Sequence, residues 1–325
     1  MERHDWTFER YAPEMSADWN VFTANSRNAT FLHDRRFMDY HSDRFRDHSL
    51  VARLNGRISA LLPANEETSP TGERTLVSHR GLTYGGWLLP SSRVVGAEVV
   101  SLFVAACDYL RGEGFGKFIY KAIPAIYHTI PSQDDEYALF RMGVAPDGVM
   151  LSASIDMTEE PKFSSRQRNH IRQARAFAEA NGIELRETDD CATFIRLETE
   201  CLRERHDVAP VHSAEELSLL KSRFPRQIRL FGAFAGDEML AGACVFHTGT
   251  VAHLQYTFTT PAARDNGLLP LLVARLTEIY RGSCRWFDWG ISTEDDGRVL
   301  NDPLHRFKIS FGAGGTVCNR YTVIL

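Results

Sequence analysis

The chain has 325 residues, 43% of them hydrophobic, with 37 Lys and Arg against 42 Asp and Glu for a formal net charge of −5. At roughly 150 residues per domain this length suggests two domains, and the composition excludes a disordered or fibrous chain. Net acidity leaves no global basic field for holding nucleic acid, so no DNA partner is expected, and a tRNA would need a local basic face. Only five of the cations are lysine, so a lysine at a candidate site stands out. The six cysteines (Cys107, Cys191, Cys201, Cys244, Cys284, Cys318) form no CxxC pair, which reads as reduced thiols in a cytoplasmic protein. The start, MERHDWTFER, has no apolar signal core. The most apolar run, Val99 to Cys107, falls short of the ~20 residues of a membrane span, so no integral membrane segment is expected.

In chain order, Asp18–Asn25 and Arg35–His41 read as short helices. SLVARL and RISALLP flank Asn55-Gly56, a hairpin signal. A third run, TLVSHRGLTYGG, precedes a helix over Val94–Arg111 whose stripe is Val95, Val99, Leu102, Phe103, Ala106 and Leu110. KFIYKAIP reads as a buried strand and Asp134–Phe140 as another short helix. Ser164–Asn181 is a helix opened by a serine cap and closed at Gly182. IELRE is a strand, and Ala192–Arg205 and Ser213–Arg223 are helices. Three strands follow (QIRLFGAFA, EMLAGACVFHT, TVAHLQYTF), then an amphipathic helix from Gly267 to Arg281 and the strands CRWFDWGIS and TVCNRYTVIL. Both halves thus read helix, helix, three antiparallel strands, long helix, strand. A repeat of that length is a domain duplication. Its boundary is expected near Met157–Pro161, giving domains 1–157 and 158–325.

That order resembles the GNAT acyltransferase fold, and the tandem pair resembles its Fem-type branch. The resemblance rests on Ser78-His79-Arg80-Gly81-Leu82-Thr83-Tyr84-Gly85-Gly86, Lys121-Ala122-Ile123-Pro124, the arginine-rich helix before Gly182, Phe287-Asp288-Trp289-Gly290, and Phe307-Lys308 with Phe311-Gly312. It implies an α/β fold of two tandem GNAT-like domains, the first degenerate and on the acceptor side, the second catalytic. It also implies an N-acyltransferase acting on an amine of a cell-envelope, polysaccharide or nucleotide-sugar precursor. The donor would be acyl-CoA, such as acetyl-CoA, or aminoacyl-tRNA. A catalytically inactive GNAT-fold module that binds nucleotide-linked ligands is the alternative.

GNAT proteins hold the CoA pyrophosphate on a Q/R-x-x-G-x-G/A loop opening the long helix, where backbone N–H groups lack partners. Arg264-Asp265-Asn266-Gly267-Leu268-Leu269 stands at that place, but Leu269 replaces the final small residue. Asn266-Gly267 reads equally as a plain turn. In the first half, Arg93-Val94-Val95-Gly96 is no such loop. Fem-type proteins also degrade the loop, because their donor is aminoacyl-tRNA, so the departure bears on the donor.

Arg168, Arg172 and Arg175 share one helical face. Their forks suit phosphate oxygens, although a solvated face is the plainer reading; the resemblance implies contact with the acceptor's phosphates. On the strand alternation, His253, Gln255 and Thr257 share one face and Leu254 and Tyr256 the other. His253 could take a proton from an amine or be a hydrogen-bonded buried histidine; Gln255 and Tyr256 are candidates for holding the donor. His206 and His212 lack a third ligand for zinc, and no metal is expected. Asp288 between two aromatics is structural or catalytic. Lys308 could stabilise the oxyanion of acyl transfer, as the resemblance implies, or partner Asp288. Tyr84, Lys121 and Tyr127 look like a wall for the acceptor. No GxSxG elbow, Walker loop or GxGxxG after a strand supports a hydrolase, NTPase or Rossmann reading.

Overall fold

A computed structural model describes residues 5–206 and 210–325. The first four residues of the N-terminal reading and the side chain of His206 lie outside the described residues. The chain begins with β1 (Trp6–Arg10), α1 (Ser16–Ala24), α2 (Arg35–Met38), β2 (Arg46–Asp47), β3 (Leu50–Leu54), β4 (Arg57–Leu62), β5 (Asn65–Thr68) and β6 (Arg74–Val77). Next are α3 (Ala97–Gly112), β7 (Lys117–Lys121), α4 (Asp134–Arg141), β8 (Pro146–Asp156), α5 (Ser165–Ala180), β9 (Ile183–Thr188), α6 (Cys191–His206) and α7 (Ala214–Arg223). The remainder comprises β10 (Ile228–Ala235), β11 (Glu238–His247), β12 (Val251–Thr259), α8 (Leu268–Tyr280), β13 (Trp286–Ile291), β14 (Thr293–Glu294), β15 (Val299–Leu300), α9 (Asp302–Ile309) and β16 (Gly314–Ile324).

Two compact units result: Met1–Leu151 with Thr293–Val299 and Val317–Leu325, and Ser152–Ser292 with Leu300–Thr316. A single cut at residue 157 does not reproduce this division. The C-terminal strand returns to the first unit because β16 pairs antiparallel with β7, from Arg320 opposite Lys121 to Ile324 opposite Lys117.

In the first unit, β1, β3 and β4 form an antiparallel sheet, and β2, β5, β6, β7 and β16 lie side by side in another. The β3–β4 turn sits on Asn55 and Gly56 with φ of 52° and 77°, the two left-handed residues that a tight hairpin requires. β6 and β7 run parallel, joined by α3. Val99, Leu102, Phe103, Ala106 and Leu110 of α3 are buried in the core with Trp87, Leu89 and Phe118. Val95 stays exposed, because Val94 and Gly96 at φ of 61° and 49° delay the helix until Ala97.

The second unit orders its strands β8, β13, β12, β11, β10, β9. β12 and β13 pair in parallel and are bridged by α8. The apolar faces of α5 and α8 (Ile171, Ala174, Ala178, Leu268, Leu272, Leu276) are buried with Ala243, Val245, Ala252 and Phe287 of the sheet. α5 begins where expected, the Ser164 hydroxyl accepting from the Gln167 N–H at 3.2 Å.

Candidate active site

Three irregularities shape the centre of the second unit's strands. β12 pairs with β13 only at Val251–Trp286, Ala252–Phe287 and His253–Asp288, after which they part. On the other flank of β12 the register slips: Cys244 faces Tyr256 while Val245 faces Leu254, leaving Gln255 as an extra residue. This bulge corrects the strict alternation read from sequence. Directly opposed residues share a face, so the Cys244–Tyr256 and Phe246–His253 pairs bring Tyr256, not Gln255 or Thr257, onto the side of His253. β13 has its own slip between Asp288 and Ile291, where Asp288 faces Ser154 and Ile291 faces Ser152. Bulges of this kind re-aim side chains at functional sites.

The row across these strands is Ser154, Asp288 and His253. Asp288 is fully buried. One of its oxygens accepts from the hydroxyls of Ser152 (2.6 Å) and Ser154 (2.8 Å), and the other from His253 Nδ1 at 2.7 Å. Burial alone would raise the Asp288 carboxyl; the hydrogen bond and charge of His253, with the two serines, hold it below its ordinary value. An ionised carboxylate only accepts, so Nδ1 of His253 carries the proton and Nε2 is the basic nitrogen, turned away from Asp288. The carboxylate therefore fixes both the tautomer and the ring.

Lys308 enters from α9. Asn301 caps that helix, accepting from the Leu304 N–H, and Phe307 and Phe311 pack on Trp289 with ring centres 5.6 and 4.8 Å away. The lysine is buried and donates to the carbonyls of Gly290 (2.9 Å) and Ile291 (2.7 Å). It makes no ion pair with Asp288 among the described residues, so Asp288 is the partner of His253 rather than of the ammonium. Burial pushes the Lys308 ammonium down to about 8 against the opposing pull of Asp288. Gly290, at φ 76°, lies against His253: a Cβ there would stand 3.5 Å from the imidazole Cε1.

Tyr256 is buried with its hydroxyl 2.5 Å from Nδ1 of His212. That contact gives His212 a partner at Nδ1. Gln255 is half-buried at the bulge. Gly267 caps α8 in the left-handed region at φ 69°, and a Cβ there would reach 2.7 Å from His170 Nε2. Its smallness thus serves the close approach of α5. Behind it Leu268 is buried and Pro270 supplies no N–H, so the helix start offers fewer amide donors than the loop it resembles. Arg264 is turned to Glu204 at 3.2 Å. Arg168 and Arg172 are exposed on α5. Arg168 lines a recess of about 550 Å³ with Lys162, Phe163 and Arg281.

In the first unit, Tyr84 and Tyr127 stack with ring centres 4.4 Å apart. Lys121 donates to the carbonyls of His79 (3.2 Å) and Leu82, and burial pushes its ammonium down to about 8. The three residues expected to form a wall therefore share one corner. The serines that hold Asp288 were not found in the sequence. Their signal was the alternation in Val149-Met150-Leu151-Ser152-Ala153-Ser154-Ile155, whose polar positions fall on the site's face.

Residues 165–298 match the family model for the acetyltransferase (GNAT) domain. No curated protein matches the sequence. Among solved structures, the chain superposes on FemX with a TM-score of 0.70 at 11% identity, covering 98% of this chain and 97% of that one. A tandem GNAT protein from the clavulanic acid biosynthesis pathway gives 0.53 at 15% identity, covering 98% of both chains. L-PGS from Bacillus licheniformis gives 0.56 at 12% identity, covering 96% and 92%. Residues 165–298 thus resemble a GNAT acetyltransferase domain, and the chain shares its overall fold with these tandem GNAT proteins. Among the described residues no helix is long and apolar enough to cross a membrane.

Proposed function

We propose that the chain is an N-acyltransferase whose second unit moves an acyl or aminoacyl group onto an amine of an envelope, polysaccharide or nucleotide-linked precursor. The observation that carries this reading is the Asp288–His253 pair at the parting of β12 and β13, with Lys308 fastened to the carbonyls beside it. In the reaction the amine nitrogen attacks the acyl carbon and its proton passes to Nε2 of His253. Asp288 stabilises the imidazolium that forms. Two of the three N–H groups of Lys308 bind protein carbonyls, and the third serves the developing oxyanion. When the tetrahedral intermediate collapses, the bond to the leaving oxygen or sulfur breaks and that atom takes the proton from His253.

For the donor we favour an aminoacyl ester on tRNA over acyl-CoA. Pro270 and the packed Gly267 weaken the pyrophosphate loop, whereas α5 presents Arg166, Arg168, Arg172 and Arg175 exposed and without a carboxylate partner among the described residues. Mass spectrometry of a donor screen, charged tRNAs beside acyl-CoAs against a panel of amino-sugar acceptors, tests both statements. Transfer from charged tRNA is expected. Transfer from acetyl-CoA alone would reverse the donor assignment, and no transfer from either would refute the enzyme.

A further inference from the structure

The first unit buries an unusual set of polar groups in one corner. His33, His41 and His79 are buried there with Tyr84 and Tyr127, and the enclosed ammonium of Lys121 joins them. Packing alone would favour aliphatic or phenyl side chains, since each imidazole and ammonium loses hydration. Most of these groups have an internal explanation. Nδ1 of His33 accepts the Thr30 N–H at 3.0 Å, closing a turn, and Nε2 of His41 lies 3.3 Å from the Gly81 carbonyl.

His79 is different. Its ring stacks on His41 at 5.4 Å and an interplanar angle of 9°, and its Nδ1 accepts the Gly81 N–H at 3.2 Å. That bond places the ring proton on Nε2. The residue is only 3% exposed, yet this N–H has no protein partner among the described residues and is not sealed from solvent. One bond network away, Lys121 uses two N–H groups on the His79 and Leu82 carbonyls and pairs with no carboxylate among the described residues. The neighbouring cation Arg80 is already engaged by Glu67 at 2.8 Å. The same corner therefore carries two donors, one neutral and one charged, that no carboxylate meets among the described residues.

We propose that His79 and Lys121 form an anion site in the first unit, which takes a carboxylate or phosphate group carried by the amine acceptor. Burial, then the charges of His41 and Lys121, push the His79 imidazole down to about 3, so it remains a neutral donor across the working pH range. The acceptor half of the proposal rests on the N-acylation reading; the anion site itself does not.

The test is a titration of the full chain, carrying ¹⁵N-histidine, with inorganic phosphate and separately with glucuronate, against chloride at equal ionic strength. The His79 Nε2–H resonance, assigned by its loss in His79→Phe, should shift saturably with one of the two anions, and that arm identifies the group. Lys121→Met should weaken the binding at least tenfold, whereas His253→Ala should leave it unchanged while abolishing turnover. A shift no larger than that of chloride, or unaltered binding in Lys121→Met, overturns the site. If His79→Phe does not fold, Lys121→Met followed by calorimetry gives the same decision. Saturable binding combined with equal KM for acceptors with and without the anion would overturn only its assignment to the acceptor.

Discussion

Replacing Asp288 with Asn isolates the charge on which the proposed chemistry depends. Asn has the same shape; its amide oxygen can accept from His253 Nδ1, and its NH₂ can donate to serine hydroxyls that rotate to receive it. The fold should therefore survive. What disappears is the carboxylate 2.7 Å from the imidazole. With charge centres about 4 Å apart and an effective dielectric near 20, the attraction to an imidazolium is about 4 kcal/mol, or roughly 10³ in rate. Single-turnover transfer should fall by about 10²–10³ between pH 6 and 8 with no change in circular dichroism. A second signature concerns stability. A carboxyl held below its unfolded value favours folding above that value, and this contribution is lost as pH falls through the lower, folded value. Asp288 is such a group, so the variant should lose less stability than the wild type on acidification below about pH 4. Turnover within threefold of wild type at every pH would refute the role of the pair.

Lys308→Met keeps the packing of the stem and deletes the ammonium; turnover should drop about 10²–10³ with folding intact, and near-normal turnover would remove Lys308 from the mechanism. In the wild type, rate should decline as pH rises through about 8, where the lysine loses its proton. The same lowered pKa works against folding while the lysine is charged, so it adds stability as pH climbs from about 8 toward the unfolded value near 10.4. Denaturant titrations at pH 7 and 9 should show a smaller rise for Lys308→Met than for wild type; equal rises would refute the burial argument. Gly267→Ala strains a left-handed backbone and drives a methyl to 2.7 Å from His170; a loss of about 1–3 kcal/mol is expected, read as a lower melting temperature, and an unchanged one would mean that α5 can shift.

The repeated elements were legible because their cues are local. The Asn55-Gly56 turn, the Ser164 cap and the stripe of α3 are fixed by neighbours within a few residues, and the structure forms all three. His253 and Asp288 were legible as candidates because an ionisable side chain in an apolar strand is conspicuous. Their pairing was not, since it depends on the parallel register of β12 and β13 across 35 residues. The face of Tyr256 was misread for a related reason: a one-residue bulge reverses the alternation and has no signature in Leu254-Gln255-Tyr256. β8 supplies both serines but gives no solvent-face signal in the sequence, because its polar positions point at Asp288 instead of at solvent. Helix α9 did carry a signal in Asn301-Asp302-Pro303, a cap followed by an early proline.

The two lysines that stand out in an arginine-preferring chain share a physical logic. Each is held by two main-chain carbonyls, and neither forms an ion pair with a carboxylate among the described residues. A carboxylate partner would neutralise the ammonium and occupy its donors. Carbonyl dipoles instead hold it in place with one N–H uncommitted. An arginine could not replace it, because a planar fork of five donors would need more acceptors than two carbonyls provide. In the second unit that remaining N–H is the one proposed above to meet the oxyanion. In the first it belongs to the anion site proposed with His79, whose main-chain carbonyl Lys121 already holds. The same device therefore suits charge that develops during a reaction in one unit and charge that arrives already formed on a ligand in the other.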